Sequence, residues 1–290
     1  MSIKTEWSPD FFIAGFPKCG TTSLHDSLDG HPEISMSRVK EPHYFSPDIE
    51  WYRALRVSSA EEYYSIFSHD NGKLRAESST WYLYSSVAIN EINRINGFSK
   101  FVVCLRLPSK AIESLIVHRI YSGKEESVDP ESVILDDNKF SFYSSVYDYR
   151  KQIDRLLSIV DRKRVHFVIL EDLIAEPSRV LQELQSFLGV SQVLHLSLRG
   201  ENQSKSGRPL LAQRIASLFP LRLKVLVRKV IGGENVRRVW RFIGKALGKD
   251  EYVKRIKQPE SKVEDRLREA DILAVNYLES IDVSVDSWKF

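Results

Sequence analysis

Phe11-Phe12-Ile13-Ala14-Gly15-Phe16-Pro17-Lys18-Cys19-Gly20-Thr21-Thr22-Ser23-Leu24 is the stretch on which the fold turns. Its apolar run, Phe11 to Phe16, ends at Pro17, and a run of that length bounded by turn residues suits a buried strand. From Gly20 the pattern becomes helical, with Leu24 and Leu28 four apart, and it stops at Gly30. Backbone N–H groups at the N-terminus of such a helix form an anion site. Gly20 lets the backbone approach a phosphate closely. Thr21, Thr22 and Ser23 add hydroxyl donors, and Lys18 adds charge. Gly15 and Gly20 have the spacing of the G-x-x-x-x-G-K-[ST] loop, and Thr22 fits its last position. Thr21 stands where the lysine belongs, and the cation has moved to Lys18. A nucleoside triphosphate site needs that lysine on the outer phosphates together with a Mg²⁺ ligand set, so the loop reads as phosphate-binding but departs from an ATP site. The bland alternative is a Gly-Thr helix cap beside a solvated lysine.

Outward from this unit the pattern repeats. Phe101 to Leu105 and Val165 to Leu170 read as further buried strands, and Leu74-Arg75-Ala76 as a shorter one. A helix is expected from Pro108 through Tyr121 and another from about Ser145 to Val160, with Ile153, Leu156, Leu157 and Val160 on one face. A third should open at Pro177, carry Val180, Leu181, Leu184 and Leu188 as a stripe, and stop at Gly189. The polar segment Tyr121 to Phe140 reads as a surface excursion. Alternating strands and helices predict an α/β, P-loop-like three-layer fold, a central parallel sheet flanked by helices. The whole chain of 290 residues reads as one domain, with a basic helical subregion at 211–257 and a C-terminal helix and tail at 258–290.

Apolar residues make up 42% and charged residues 28%, which excludes long disorder, collagen-like repeats and a small disulfide scaffold. Cys19 and Cys104 make no disulfide framework. The first ten residues carry Lys4, Glu6 and Asp10 and form no secretory signal, and no stretch reaches the ~18 apolar residues of a membrane span. These features predict a cytoplasmic protein. No His/Cys spacing suggests a metal site.

Phe16 to Leu24 resembles the 5′-phosphosulfate loop of sulfotransferases that use 3′-phosphoadenosine 5′-phosphosulfate (PAPS), in the bacterial and heparan-sulfate-type branch. The resemblance implies that Lys18, Cys19, Gly20, Thr21, Thr22 and Ser23 hold the phosphosulfate without a metal. Lys40-Glu41-Pro42-His43-Tyr44-Phe45 resembles the Lys-Glu-x-His-Phe-Phe block of glycan sulfotransferases. By that resemblance Glu41 is the general base, a role the chemistry suits because a sugar hydroxyl is a poor nucleophile until its proton is taken. His43 then lines the acceptor pocket or supports the base. Arg106, Pro108 and Ser114 resemble the family's 3′-phosphate block, an arginine at a strand end gripping phosphate through paired donors. Leu107 and Ala111 depart from it, which puts the local salt bridges in doubt. Glu77 in Ala76-Glu77-Ser78-Ser79-Thr80-Trp81-Tyr82 either orients the acceptor or is a satisfied structural carboxylate; Ser78 stands where relatives often have lysine. Lys205 and Arg208 resemble a late loop that closes over the nucleotide. His118, four residues after Ser114, reads as structural or nucleotide-adjacent, and Asp286-Ser287-Trp288 as a packing anchor.

The implied activity is sulfuryl transfer from PAPS to a hydroxyl, less readily an amine, of a small-molecule, glycan or glycolipid acceptor, releasing adenosine 3′,5′-bisphosphate. The competing readings are a P-loop kinase-like phosphotransferase and a non-catalytic module that holds a nucleotide or anionic glycan. No nucleic acid polymer is expected as a partner. The net charge of +3 conceals a split: residues 211–257 hold 13 Lys and Arg against Glu234, Asp250 and Glu251, a local +10 that leaves the rest of the chain at −7. This stretch reads either as solvated faces of ordinary helices or as basic amphipathic helices that contact an anionic acceptor or the inner membrane face.

Overall fold

The computed structural model describes residues 7–50, 56–67, 73–122, 124, 125, 127, 129–191 and 260–288. Among these, the strands are β1 Phe11–Gly15, β2 Ile34–Met36, β3 Leu74–Ser78, β4 Lys100–Leu105 and β5 Val165–Ile169. The helices are α1 Thr21–Leu28, α2 Ala60–Ser65, α3 Ala88–Ile95, α4 Pro108–Tyr121, α5 Pro130–Leu135, α6 Asp137–Val146, α7 Tyr149–Leu157, α8 Leu170–Ala175, α9 Pro177–Leu188 and α10 Ser261–Ser280, with a 3-10 turn at Thr80–Leu83. The five strands form one sheet in the order β2-β3-β1-β4-β5, and every pairing is parallel. The expected α/β architecture is therefore present.

The sequence pattern explains the layout. Every residue of β1 is buried, as expected of a central parallel strand covered on both faces. Phe12 stacks on Phe101 of β4 at 5.6 Å between ring centroids and meets Phe45 and Tyr82 edge-on at 6.0 and 5.9 Å. From β1 the chain crosses to β2 and β3 on one side and then to β4 and β5 on the other. That reversal puts a crevice at the carboxyl end of β1, where open α/β sheets bind ligands. Gly15 ends β1 beside Cys104. A Cβ there would lie 2.8 Å from the Cys104 nitrogen and 2.9 Å from its oxygen, so only glycine lets the two strands close.

The expected strands all form, with β3 extended to Ser78. The stripe on α9 is buried as predicted, and Gly189 ends it in the left-handed region at φ 81°. Three expectations need correction. The short edge strand β2 was not anticipated; three residues give no periodicity. The helix expected over 145–160 is present but shorter: α6 ends at Val146, Asp148 opens α7 by accepting the Lys151 N–H at 3.1 Å, and α7 ends at Leu157, short of Val160. The excursion 121–140 contains α5, whose Asp129 caps the N–H groups of Glu131 and Ser132, with Pro130 in the first turn and Val133 and Ile134 buried. A cap, Pro at N1 and a short apolar pair form a helix signature masked by the flanking acids.

Two compact units emerge: residues 1–111, 146–202 and 271–290 form one, and residues 112–145 and 203–270 the other. The first contains the sheet. Within the second, Arg266 donates to the Ile134 carbonyl at 2.8 Å and pairs with Asp137, while Arg119 lies over the Phe142 ring. Lys205, Arg208 and the basic stretch 211–257 lie outside the described residues. Among the described residues no helix is long and apolar enough to cross a membrane.

Candidate active site

The loop between β1 and α1 is held by its backbone. Phe16 N–H donates to the Cys104 carbonyl at 3.2 Å, and Cys19 N–H to the Phe16 carbonyl at 3.3 Å. The Tyr147 hydroxyl reaches the Pro17 carbonyl at 2.8 Å. Gly20, at φ 86°, is the N-cap of α1 and offers its first turn no side-chain acceptor; no acidic residue sits in that turn. The first turn, Thr21, Thr22 and Ser23, thus carries the backbone N–H groups and hydroxyls with which a helix N-terminus can take an anion. A Cβ on Gly20 would lie 2.5 Å from Leu170 Cδ1. Burial pushes the Cys19 thiol well above its ordinary range, so Cys19 contributes backbone to the loop and no thiolate.

The Lys40–Phe45 block runs past the carboxyl end of β3. Glu41 N–H donates to the Ser78 carbonyl at 2.8 Å. Its Oε1 accepts from Thr80 Oγ1 at 3.1 Å and from Lys40 Nζ at 3.3 Å. His43, 1% exposed, sets its Nε2 3.7 Å from Glu41 Oε2. Of the two roles expected of His43, this geometry matches support of the carboxylate. Burial pushes the Glu41 carboxyl up, but His43, the Lys40 ammonium and the Thr80 hydroxyl outweigh it and hold the group at about 2. Glu41 is therefore ionised at neutral pH. Burial and the like charge of Arg106 push the Lys18 ammonium below its ordinary value, while Cys19 and the Glu41 charge act the other way and Lys40 adds to the lowering. Lys18, Lys40, Glu41 and Arg106 thus share one electrostatic neighbourhood.

Lys18, Glu41 and His43 have a further property in common. Among the described residues four non-glycines have positive φ: Lys18 at 65°, Glu41 at 58°, His43 at 52° and Asp282 at 58°. The left-handed region costs an L-residue about 1 kcal/mol or more, and such strain clusters at functional sites. Three of the four are the residues named from sequence as catalytic.

Arg106 follows β4, and its Nη1 donates to the Lys18 carbonyl at 3.3 Å. Its Nε lies 3.8 Å from Glu171 Oε1, and Glu171 Oε2 accepts from Trp288 Nε1 at 2.9 Å. The support that Leu107 and Ala111 could not give comes from a carboxylate 65 residues further along the chain, a relation no local motif reveals. Ser114 is half-buried on α4 and His118 is exposed on the same helix. Both belong to the second unit.

Glu77 is 0% exposed. It accepts from the Tyr63 hydroxyl at 2.7 Å, from Tyr82 at 2.8 Å and from Ser79 at 2.7 Å. Buried and accepting from three hydroxyls, it has the surroundings of a satisfied carboxylate.

A sequence profile described as a sulfotransferase domain matches residues 8–208. Carbohydrate sulfotransferase 15 of Homo sapiens is 55% identical over 38 residues, 13% of this chain and 7% of its own. Heparan sulfate glucosamine 3-O-sulfotransferase 5 of Mus musculus is 26% identical over 200 residues, 63% of this chain and 54% of its own. The chain thus spans about half the length, or less, of these curated relatives. A sulfotransferase from Alicyclobacillus acidocaldarius has the same fold, with a TM-score of 0.59 at 24% identity over 73% of this chain and 92% of that one. The profile takes in the loop at Lys18, the block at Glu41 and the strand end at Arg106, and by that match the chain belongs to the sulfotransferase domain family.

Proposed function

We propose that this protein transfers a sulfuryl group from PAPS to an acceptor hydroxyl, in a carbohydrate or glycolipid. The observation that carries the proposal is the gathering of Lys18, Glu41 and His43 in strained backbone beside an uncapped helix N-terminus. Both the cation and the amide donors suit a polyanionic donor molecule. The names of the curated relatives, a carbohydrate and a heparan sulfate glucosamine sulfotransferase, support a glycan acceptor.

The loop amides, Thr21, Thr22 and Ser23 hold the 5′-phosphosulfate. Arg106 and Ser114 hold the 3′-phosphate, with Lys205 and Arg208 as further candidates. Glu41 takes the acceptor's proton as its oxygen bonds to sulfur and the sulfur–oxygen bond to the 5′-phosphate breaks. Lys18 stabilises the charge left on that phosphate oxygen. His43 and Lys40 keep Glu41 ionised until the proton arrives. Holding the reactants in line supplies much of the remaining acceleration. The basic stretch 211–257 is the candidate for guiding an anionic acceptor or for peripheral membrane contact, which co-sedimentation with anionic vesicles at low salt separates.

The test is transfer of radiolabelled sulfate from PAPS across a panel of glycans, glycolipids and phenols, with calorimetry of adenosine 3′,5′-bisphosphate and of ATP·Mg²⁺. Transfer to a glycan, with Glu41→Gln and Lys18→Ala each losing about 10²-fold or more in kcat, is the expected result. Tight ATP·Mg²⁺ binding with no sulfate transfer would turn the assignment to a phosphotransferase. Nucleotide binding with no turnover on any acceptor would turn it to a binding module. A fully active Glu41→Gln enzyme would sink the base.

A further inference from the structure

We infer that Glu77 is a positioning residue whose buried carboxylate, acting through Ser79 and Tyr82, fixes the backbone of the loop that carries Glu41. The inference rests on the reading of Glu41 as the base. Three alternate amides of that loop are tied to the single stretch 78–82. Glu41 N–H donates to the Ser78 carbonyl at 2.8 Å, His43 N–H to Ser79 Oγ at 3.2 Å, and Phe45 N–H to the Tyr82 hydroxyl at 3.2 Å. The first is a backbone pair. The other two depend on which way a hydroxyl points.

Each hydroxyl has one proton to give and lone pairs to receive. Ser79 gives its proton to Glu77 Oε2 at 2.7 Å, and Tyr82 gives its own to Oε1 at 2.8 Å. Because both protons are committed inward, both oxygens turn lone pairs outward to the amides of His43 and Phe45. Tyr63 adds a third inward donor at 2.7 Å. The two oxygens of a carboxyl group carry lone pairs enough for all three O–H donors and no N–H that would compete with them. A glutamine would present an N–H2 group on one side and turn one hydroxyl around, releasing His43 or Phe45. A carboxyl group with no solvent exposure is costly to keep, and here its donors lead to His43, inside the strained Glu41–His43 turn, and to Phe45 just beyond it. Left-handed φ at Glu41 and His43 persists only where the surroundings over-determine it, and these tethers are what over-determine it.

Ser79→Ala cuts only the tether to His43, Tyr82→Phe only the one to Phe45, and Glu77→Gln disturbs both. The first readout needs no acceptor: native-state amide exchange at His43 and Phe45. Ser79→Ala is expected to speed exchange at His43 about tenfold, and Tyr82→Phe at Phe45, the loss that follows from one hydrogen bond. The second readout is sulfate transfer from PAPS to a heparan-type oligosaccharide. A displaced base lowers kcat by about ten- to hundredfold, while affinity for adenosine 3′,5′-bisphosphate stays within about twofold because the phosphate loop is untouched. A merely structural residue would not split kcat from nucleotide affinity in this way. Unchanged exchange at both amides in Ser79→Ala and Tyr82→Phe overturns the inference even if Glu77→Gln fails to fold. The base reading fails separately, by a fully active Glu41→Gln enzyme. An inactive Glu41→Gln beside fully active Ser79→Ala, Tyr82→Phe and Glu77→Gln refutes the positioning role alone.

Discussion

Replacing Glu77 by glutamine should change how stability depends on pH. Burial pushes the Glu77 carboxyl up, the donors Tyr63, Ser79 and Tyr82 push it down, the charge of Glu41 adds to the rise, and the group comes to rest at about 7 against an ordinary 4.5. A carboxyl raised on folding binds its proton more tightly in the folded state than in the unfolded one. Its contribution to stability is therefore greatest below pH 4.5, declines as pH rises and levels off above 7. The rise from 4.5 to about 7, at 1.36 kcal/mol per pH unit, is worth about 3 kcal/mol. Glutamine has nearly the same shape and does not titrate. Wild-type stability minus that of Glu77→Gln should thus fall by about 3 kcal/mol between pH 4.5 and pH 8, which for a chain of this size is roughly 6 °C in Tm. Urea unfolding of both proteins at four pH values across that range measures the difference, and groups common to both cancel. A difference that stays flat would mean that Glu77 does not titrate in this window. One that rises with pH would mean that its three donors outweigh burial and hold it below 4.5.

Two further substitutions test how the loop is built. Gly20→Ala places a Cβ against Leu170 at a φ of 86° and should cost about 1–2 kcal/mol of stability. Adding Leu170→Ala should relieve the contact while the backbone strain remains, so nucleotide affinity measured by calorimetry should recover only in part. Full recovery in the double variant would show that the left-handed φ is not what requires glycine. Trp288→Phe keeps the ring and removes the donor to Glu171, which should cost about 1–2 kcal/mol in urea unfolding. It should also weaken adenosine 3′,5′-bisphosphate binding through Arg106, and an unchanged affinity would show that Arg106 does not need this support.

Much of the fold was legible because its signals are local. Phe11 to Ala14, Phe101 to Leu105 and the α9 stripe closed by Gly189 are contiguous patterns whose meaning needs no partner. The α6–α7 break was not legible because Val146, Tyr149, Ile153 and Leu156 keep a helical period across Asp148, and only the cap geometry shows that the chain restarts there. The site divides in the same way. The loop at Lys18 and the block at Glu41 are strings, and strings can be read. Left-handed lysine and glutamate cannot, because nothing in those side chains favours that region, and the preference of histidine for it is too weak to act as a signal. Nor can the company of Glu77, assembled from Tyr63 of α2 and from Ser79 and Tyr82 at the 3-10 turn, or the reach of Glu171 to Arg106.

The connection from Trp288 through Glu171 to Arg106 and the Lys18 carbonyl has a consequence for synthesis. All five strands of the described residues have been made once Ile169 is added, yet the indole that completes this buttress comes almost 120 residues later. At ordinary elongation rates that is an interval of about 6–24 s. During that interval a nascent chain can pair its sheet while the support of the Lys18 loop is unfinished. On the proposed function, affinity for PAPS should therefore mature last, and a ribosome-bound chain halted short of Trp288 should fold its sheet before it binds adenosine 3′,5′-bisphosphate.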